Sequence, residues 1–206
     1  MTKKLIRNAA LFLCMALLAQ TLLPANCVQA ASKKSKALKA YKSYMQKQSK
    51  DSIFAVLYLD KDAVPELIYY LPGKEIYKIY TWKNNQMKQA YSFDLTNNEM
   101  PEGHEITHYY KKKGAFISIP HAGAVGYSGK NYYMYKNNKY VPVLGRAKSP
   151  ESVRYCSFFK RGKYYLTTTV TKSQFEKALK KQVGTKKATK IKYFSNTAAN
   201  RNKQMR

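Results

Sequence analysis

The spacing of apolar residues changes twice along the chain. In residues 33–50, apolar side chains such as Tyr41 and Met45 recur at helical spacing among lysines, which predicts an amphipathic helix. In residues 52–170, short runs of Tyr, Ile, Val, Phe and Thr alternate with turn-like segments, which predicts strands. Helical spacing returns in residues 173–183. The remaining residues, 185–206, form a C-terminal tail in which we expect a strand and a short terminal helix.

Four hairpins are predicted within the strand-rich region. Their turns are Lys83-Asn84-Asn85-Gln86, Lys111-Lys112-Lys113-Gly114, Lys136-Asn137-Asn138-Lys139 and Lys160-Arg161-Gly162-Lys163. Each turn contains Asn or Gly, the residues that most readily adopt positive φ. We therefore expect left-handed backbone at these positions.

The late helix carries start and stop signals. Ser173 followed by Glu176 three residues later matches a capping box, so the sequence predicts a helix start at this point. Gly184 follows the last apolar position, Val183, and predicts the helix end.

These elements define a fold class. We expect a mainly-β protein with flanking helices (α+β), in which an antiparallel meander of hairpins carries an N-terminal helix and one late helix. A small barrel or a partial propeller is compatible with the same number of strands.

The first 30 residues match a secretory signal peptide. Three positive residues precede an apolar stretch over residues 9–23, Pro24 breaks that stretch, and Val28-Gln29-Ala30 offers a cleavage site. The pattern predicts a secreted protein whose mature chain, residues 31–206, is a single extracellular domain with no later membrane span. Cys156 would then be the lone cysteine, which excludes an internal disulfide and favours a Gram-positive source.

Positive charge dominates the composition. The chain has 38 Lys and Arg against 11 Asp and Glu; removing the three basic residues of the signal leaves 35 against 11, a net charge of +24. Most of the basic residues are lysines, which are solvated point charges and not planar bidentate donors. This composition favours attraction to anionic cell-envelope polymers, acidic glycans or lipid headgroups, although the charge also serves solubility. Export argues against nucleic acid as the partner.

One motif matches a zinc-site pattern. His104-Glu105-Ile106-Thr107-His108 has the H-E-x-x-H spacing, which in zinc peptidases puts both histidines on one helix face with the glutamate as general base. Pro101 and Gly103 precede it, so we expect a strand here. In a strand the two histidines lie about 13 Å apart, too far to share a metal ion.

A second motif is acidic. Asp60, Asp62 and Glu66 lie in Tyr58-Leu59-Asp60-Lys61-Asp62-Ala63-Val64-Pro65-Glu66-Leu67, which resembles the D-x-D-x-D-G-x-x-E-L calcium loop of FG-GAP-like and dockerin-like proteins. Tyr58 replaces the first carboxylate and Ala63 replaces the turn glycine. The resemblance implies a degenerate calcium loop, and the alternative is a strand–turn–strand corner without an ion.

The wider pattern resembles a group of exported proteins of gut clostridia. The shared features are a Lys/Tyr helix, the D-x-D and P-E-L corner, the Ile-Tyr-Thr-Trp-Lys-Asn-Asn-Gln hairpin, the capped Phe175 helix, and Asn196-Thr197 and Asn200-Arg201. The resemblance implies location and fold and implies no activity.

Two functions follow as expectations. The first is a secreted, non-catalytic module that associates with anionic envelope polymers or glycans. The alternative is a zinc-dependent hydrolase or peptidase that acts through His104, Glu105 and His108.

Overall fold

Two antiparallel sheets and three α-helices make up the described part of the chain. The computed structural model describes residues 25–94, 104–120, 128–162 and 164–206, so most of the predicted signal peptide lies outside the described residues. The helices are α1 (Ala25–Gln46), α2 (Lys172–Val183) and α3 (Ala198–Gln204), and Pro72–Lys74 forms a 3₁₀ turn. The strands are β1 (Ile53–Leu57), β2 (Glu66–Leu71), β3 (Ile76–Lys83), β4 (Gln86–Asp94), β5 (His104–Tyr110), β6 (Ala115–Pro120), β7 (Ser128–Lys136), β8 (Lys139–Lys148), β9 (Val153–Arg161), β10 (Tyr164–Val170), β11 (Thr189–Lys190) and β12 (Phe194–Ser195).

The strands divide into a five-stranded and a seven-stranded sheet. The first has the order β12-β1-β2-β3-β4, and the second has the order β10-β9-β8-β7-β6-β5-β11. Consecutive strands pair antiparallel within each sheet, and neither sheet closes into a barrel. The predicted mainly-β meander with flanking helices is confirmed.

Three apolar clusters separate four layers. The central cluster fills the space between the two sheets and includes Ile68, Ile79 and Phe116. A second cluster packs Tyr41 and other α1 residues on the outer face of the five-stranded sheet. A third packs Phe175 of α2 on the outer face of the seven-stranded sheet. The layers therefore run helix, sheet, sheet, helix.

Burial on both faces explains the composition of the strands. In β2, Ile68 packs between the sheets while Leu67 and Tyr69 pack under α1. A strand with two buried faces is apolar at successive positions and does not alternate with polar residues. The continuous apolar runs in the sequence are the result of this layering.

The hairpin turns have the predicted left-handed backbone. The φ angles are 53° and 58° at Asn84 and Asn85, 49° and 64° at Asn137 and Asn138, and 61° at Gly162. Lys112 also has a positive φ of 60°, which few lysines adopt, next to Gly114 at 62°. The β5–β6 turn thus has left-handed backbone at one lysine and one glycine.

The helix boundaries differ in detail from the predicted ones. Helix α1 begins at Ala25 and passes through the predicted cleavage point after Ala30, and it ends at Gln46. The cap of α2 lies two residues earlier than predicted, because Thr171 and Gln174 form the capping box and Ser173 lies inside the helix. The predicted end at Gly184 is confirmed, with φ 65°.

No helix in the described part of the chain is long and apolar enough to cross a membrane.

The C-terminal segment joins both sheets. Strand β11 pairs with β5 in the seven-stranded sheet, and a few residues later β12 pairs with β1 in the five-stranded sheet. Asn196 follows directly and is buried. Its Nδ2 donates to the Met45 and Ser49 carbonyls at 2.9 and 3.0 Å, and its Oδ1 accepts from Arg201 at 2.8 Å. One side chain therefore bonds to a carbonyl in the last turn of α1 and to a second carbonyl just after it, and connects both to α3.

Replacing Asn196 by alanine should destabilise the fold. The change removes three hydrogen bonds, two to carbonyls and one from the Arg201 guanidinium, although each of these groups keeps a second partner. A hydrogen bond contributes about 0.5–1.5 kcal/mol to stability. We expect the free energy of unfolding, measured by urea denaturation, to fall by about 2 kcal/mol. Asn202→Ala, at an exposed position of α3, is the control and should leave it unchanged; equal losses in the two variants would contradict the role of Asn196.

Candidate functional site

The corner between β1 and β2 is built by short-range hydrogen bonds. The backbone N–H of Asp62 donates to Asp60 Oδ1 at 2.9 Å, and the backbone N–H of Val64 donates to Asp62 Oδ1 at 2.9 Å. Aspartate side chains commonly fold turns in this way, by accepting from the backbone two residues on. The two aspartates therefore shape residues 58–65 before any ligand is considered.

The corner brings three carboxylates together. One oxygen each from Asp60, Asp62 and Glu66 lies within 4.8 Å of the others. Lys83, at the end of β3, donates from Nζ to Asp62 Oδ2 at 2.7 Å and to Asp60 Oδ2 at 3.3 Å. An ammonium group thus contacts both aspartates where the resemblance to calcium loops implies a metal ion. The calcium site itself stays a prediction.

Glu66 is the buried member of the cluster, with 1% of its surface exposed. Its Oε2 accepts a 2.7 Å hydrogen bond from the backbone N–H of Leu59. Burial, and then the charges of Asp60 and Asp62, raise the pKa of Glu66 to about 8, against the opposing effect of the backbone N–H donors. Glu66 is therefore mainly protonated at neutral pH.

The neighbouring groups respond to the same surroundings. Burial raises the pKa of Asp60 overall, although the Asp62 N–H and Lys83 oppose this shift. Burial lowers the pKa of Lys83, but the hydrogen bonds and charges of Asp62 and Asp60 outweigh this and raise it overall. Burial, followed by the charges of the three carboxylates, also raises the pKa of Tyr41 and Tyr140. The ion pair is only partly buried, since 31% of the Lys83 side chain and 33% of the Asp62 side chain are exposed, so solvent weakens it.

The corner is hydrogen-bonded to the other sheet. The Tyr58 carbonyl accepts from the N–H of Lys112 at 3.0 Å, and the Leu59 carbonyl accepts from the N–H of Gly114 at 2.6 Å. The Gly114 carbonyl in turn accepts from the N–H of Tyr135 at 2.7 Å. The acidic corner thus fixes the lysine-rich β5–β6 turn against both sheets.

The H-E-x-x-H residues lie on a strand, as predicted. His104, Glu105 and His108 belong to β5, so the backbone lacks the helical turn that brings two such histidines onto one face. Burial and the charges of Lys130 and Lys190 lower the pKa of His108. The His104 side chain lies outside the described residues. Among the described side chains, the one group of three or more that could share a metal ion is Asp60, Asp62 and Glu66.

A second feature collects lysines at one end of the seven-stranded sheet. Because β5 to β10 form a meander, the β5–β6, β7–β8 and β9–β10 turns lie at the same end of their strands. We call this surface the basic end; its described members are Lys111, Lys112, Lys113, Lys136, Lys139, Lys160 and Arg161. All of these side chains are exposed except Lys113, which is partly buried.

Neighbouring elements extend the basic end. Lys112 and Lys34 of α1 both lie over the Tyr58 ring, at 5.8 and 6.0 Å from its centre. The Lys113 ammonium lies beside Gly184, where α2 ends with Lys180 and Lys181 in its last turn. The lysines of α1 and α2 thus continue the positive surface around the β5–β6 turn.

Few of these charges are neutralised. Among the described residues, only Lys83 and Lys172 have a carboxylate within 4.0 Å. The opposite end of the sheet is mixed, because the exposed Glu105 and Glu151 lie there together with Lys130 and Lys148. The sheet is therefore electrostatically asymmetric along its strands.

Comparisons with protein-family models, with curated proteins and with solved structures gave no match.

Sequence reasoning identified the acidic residues but missed two features. Lys83 was assigned only to a hairpin turn, and nothing in the local sequence connects it to Asp60 and Asp62. The basic end was treated as diffuse charge, although the alternation of turns in a meander would have placed three lysine-rich turns together.

The raised pKa of Glu66 makes stability depend on pH. Between its ordinary pKa of 4.5 and the folded value of about 8, the folded state holds a proton that the unfolded state has lost. Stability should therefore fall as pH rises through this window, by up to about 1.4 kcal/mol per pH unit. Glu66→Gln should remove this component, so its melting temperature relative to the parent should rise from pH 5 to pH 8. Glu105→Gln, at an exposed site, is the control. If the melting temperature of Glu66→Gln changed with pH in parallel with that of the parent, the raised pKa of Glu66 would be contradicted.

The Lys83 ammonium should compete with a metal ion for the aspartates. Lys83→Met leaves the carboxylates without their cation, and a ligand that binds only the folded state raises its stability. We expect millimolar calcium to raise the melting temperature of Lys83→Met more than that of the parent, at matched ionic strength. Adding Asp62→Ala to Lys83→Met should abolish the rise. An equal calcium response in parent and Lys83→Met would show that Lys83 does not occupy the cation position.

Proposed function

We propose that the protein is a secreted, non-catalytic module that binds anionic polymers of the cell envelope through the basic end. The observation that carries this proposal is the convergence of three lysine-rich turns at one end of the seven-stranded sheet. The N-terminal pattern supports export, and an exported protein meets phosphate-rich and carboxylate-rich polymers at the envelope.

The basic end suits a long ligand better than a small one. Successive turns of this surface are two strand spacings apart, about 9.6 Å. A polymer that lies across the strand ends would meet three groups of cations over about 20 Å. Each contact is weak, but several charges on one chain act together.

The backbone supports this surface. Gly114 bonds to the acidic corner through its N–H and to Tyr135 through its carbonyl, so the β5–β6 and β7–β8 turns are fixed to each other and to the five-stranded sheet. Two acids of the adjoining corner, Asp60 and Asp62, are paired with Lys83. They therefore oppose the positive potential less than free carboxylates would.

The chemistry of lysine sets the kind of recognition. Lysine ammonium groups are strongly hydrated and have no fixed hydrogen-bonding plane, so they recognise charge density more than shape. The screening length falls from about 10 Å at 0.1 M salt to about 3 Å at 1 M. Binding through the basic end should therefore be steeply salt-dependent.

Two variants of equal charge test where the polymer binds. The first replaces four exposed lysines of the basic end by glutamine: Lys111, Lys136, Lys139 and Lys160. The second replaces four exposed lysines elsewhere: Lys47, Lys50, Lys148 and Lys203. We expect affinity for isolated teichoic acid and for polyphosphate to fall at least about tenfold in the first variant and much less in the second.

The measurement is equilibrium binding across a salt series, with a neutral glucan as the reference polymer. Equal losses in the two variants would show that net charge, and not the basic end, attracts the polymer. Binding that persists at 1 M salt, or equal binding to the neutral glucan, would contradict the electrostatic proposal.

A further inference from the structure

Strand β10 is an open edge of the seven-stranded sheet. It pairs with β9 on one side, and no strand of the described residues lies on its other side. Its seven residues, Tyr164-Tyr165-Leu166-Thr167-Thr168-Thr169-Val170, contain no charge, no proline and no glycine. An edge of this kind exposes unpaired backbone donors and acceptors to any extended chain.

The other edges are protected in ways that β10 is not. Strands β11 and β12 have only two residues each. Strand β4 carries Lys88 and Asp94, and its pairing with β3 is interrupted by a register shift. Strand β10, in contrast, pairs with β9 over all seven residues without interruption. It is the one long, regular and uncharged edge of the two described sheets.

Exposed apolar side chains accompany this edge. Phe159 and Leu166, opposite each other on β9 and β10, are 46% and 38% exposed. They lie on the α2 side of the sheet, in line with Val170 and Tyr155, which pack against the α2 cluster. Helix α2 covers that inner pair and leaves Phe159 and Leu166 in solvent.

We propose that β10 pairs antiparallel with β10 of a second copy of this chain, about a two-fold axis at Thr167. Pairing of the seven β10 residues of each copy then joins the two seven-stranded sheets into one continuous sheet of fourteen strands. This self-association is separate from the proposed polymer binding, since its contacts do not involve the basic lysines.

The strand is complementary to itself in this register. Thr167 faces its own equivalent, Leu166 faces Thr168 of the second copy, and Tyr165 faces Thr169. Such β-branched and aromatic pairs stabilise cross-strand contacts. The two Leu166 side chains become diagonal neighbours, about 7–8 Å apart, within reach of each other and of Phe159. The exposed apolar residues of both copies thus form one cluster.

The positions of the charged residues also allow a second copy of the chain to pair with β10. The hairpin's described cations, Arg154, Lys160 and Arg161, are on β9, one strand away from the pairing edge. In the proposed register Lys160 is in line with Thr169, and Arg161 with Val170, of the second copy. No charged residue faces another directly, and at about 0.15 M salt the net repulsion is screened beyond about 8 Å.

A complementary pair of variants tests the two-fold register. Thr167→Lys and Thr167→Glu each place like charges opposite each other at the axis, and the exposed site should tolerate either change in the monomer. Sedimentation over a concentration series at about 0.15 M salt should show the parent as a monomer–dimer equilibrium. Each single variant should weaken dimerisation at least about tenfold, and an equimolar mixture of the two should restore it.

Gln182→Lys, which adds the same charge on an exposed position of α2, is the control and should dimerise like the parent. Thermal melts of the variants at low protein concentration check that each one folds. A parent that stays monomeric throughout the series would overturn the proposal. So would a mixture of Thr167→Lys and Thr167→Glu that dimerises no better than either variant alone.

Discussion

Two backbone hydrogen bonds join the two sheets at the point where the charged features meet. The N–H groups of Lys112 and Gly114 donate to the carbonyls of Tyr58 and Leu59. The Glu66 side chain accepts from the N–H of the same Leu59. Leu59 thus bonds through its N–H to β2 and through its carbonyl to the β5–β6 turn. The β1–β2 corner therefore cannot change shape without moving the β5–β6 turn. The acidic cluster and the lysine-rich β5–β6 turn are therefore held in one hydrogen-bonded unit.

Much of the fold could be predicted, because the signals were local. Asn84, Asn85, Asn137 and Asn138 adopt the left-handed backbone that places the hairpins. The cap of α2 shows the limit of such signals. Thr171 with Gln174 and Ser173 with Glu176 both have capping-box spacing, and the choice between them depends on where β10 ends. The surroundings of each strand face were not predictable either, because Ile68 and Leu67 of β2 are equally apolar and only tertiary packing places them in different apolar clusters.

The site was less predictable than the fold. Asp60, Asp62 and Glu66 were identified from their spacing, and the structure brings their oxygens together. Lys83, the common partner of Asp60 and Asp62, is 21 residues from Asp62 along the chain, so no motif could include it. Glu66 could be assigned as a possible ligand from its position. Its hydrogen bond to Leu59 and its raised pKa depend on burial that a single sequence does not reveal.

The position of the C-terminal segment has a consequence for when the protein can fold. Strands β11 and β12 join one sheet each, and the Asn196 side chain bonds to Met45 across a separation of 151 residues. Contacts between such distant residues form late, because the intervening chain must be ordered first. A nascent chain that lacks residues 189–196 therefore has neither sheet complete and no support for the end of α1. Under the proposed export, in which the chain would cross a membrane extended, this arrangement would postpone the compact state until residues 189–196 had emerged.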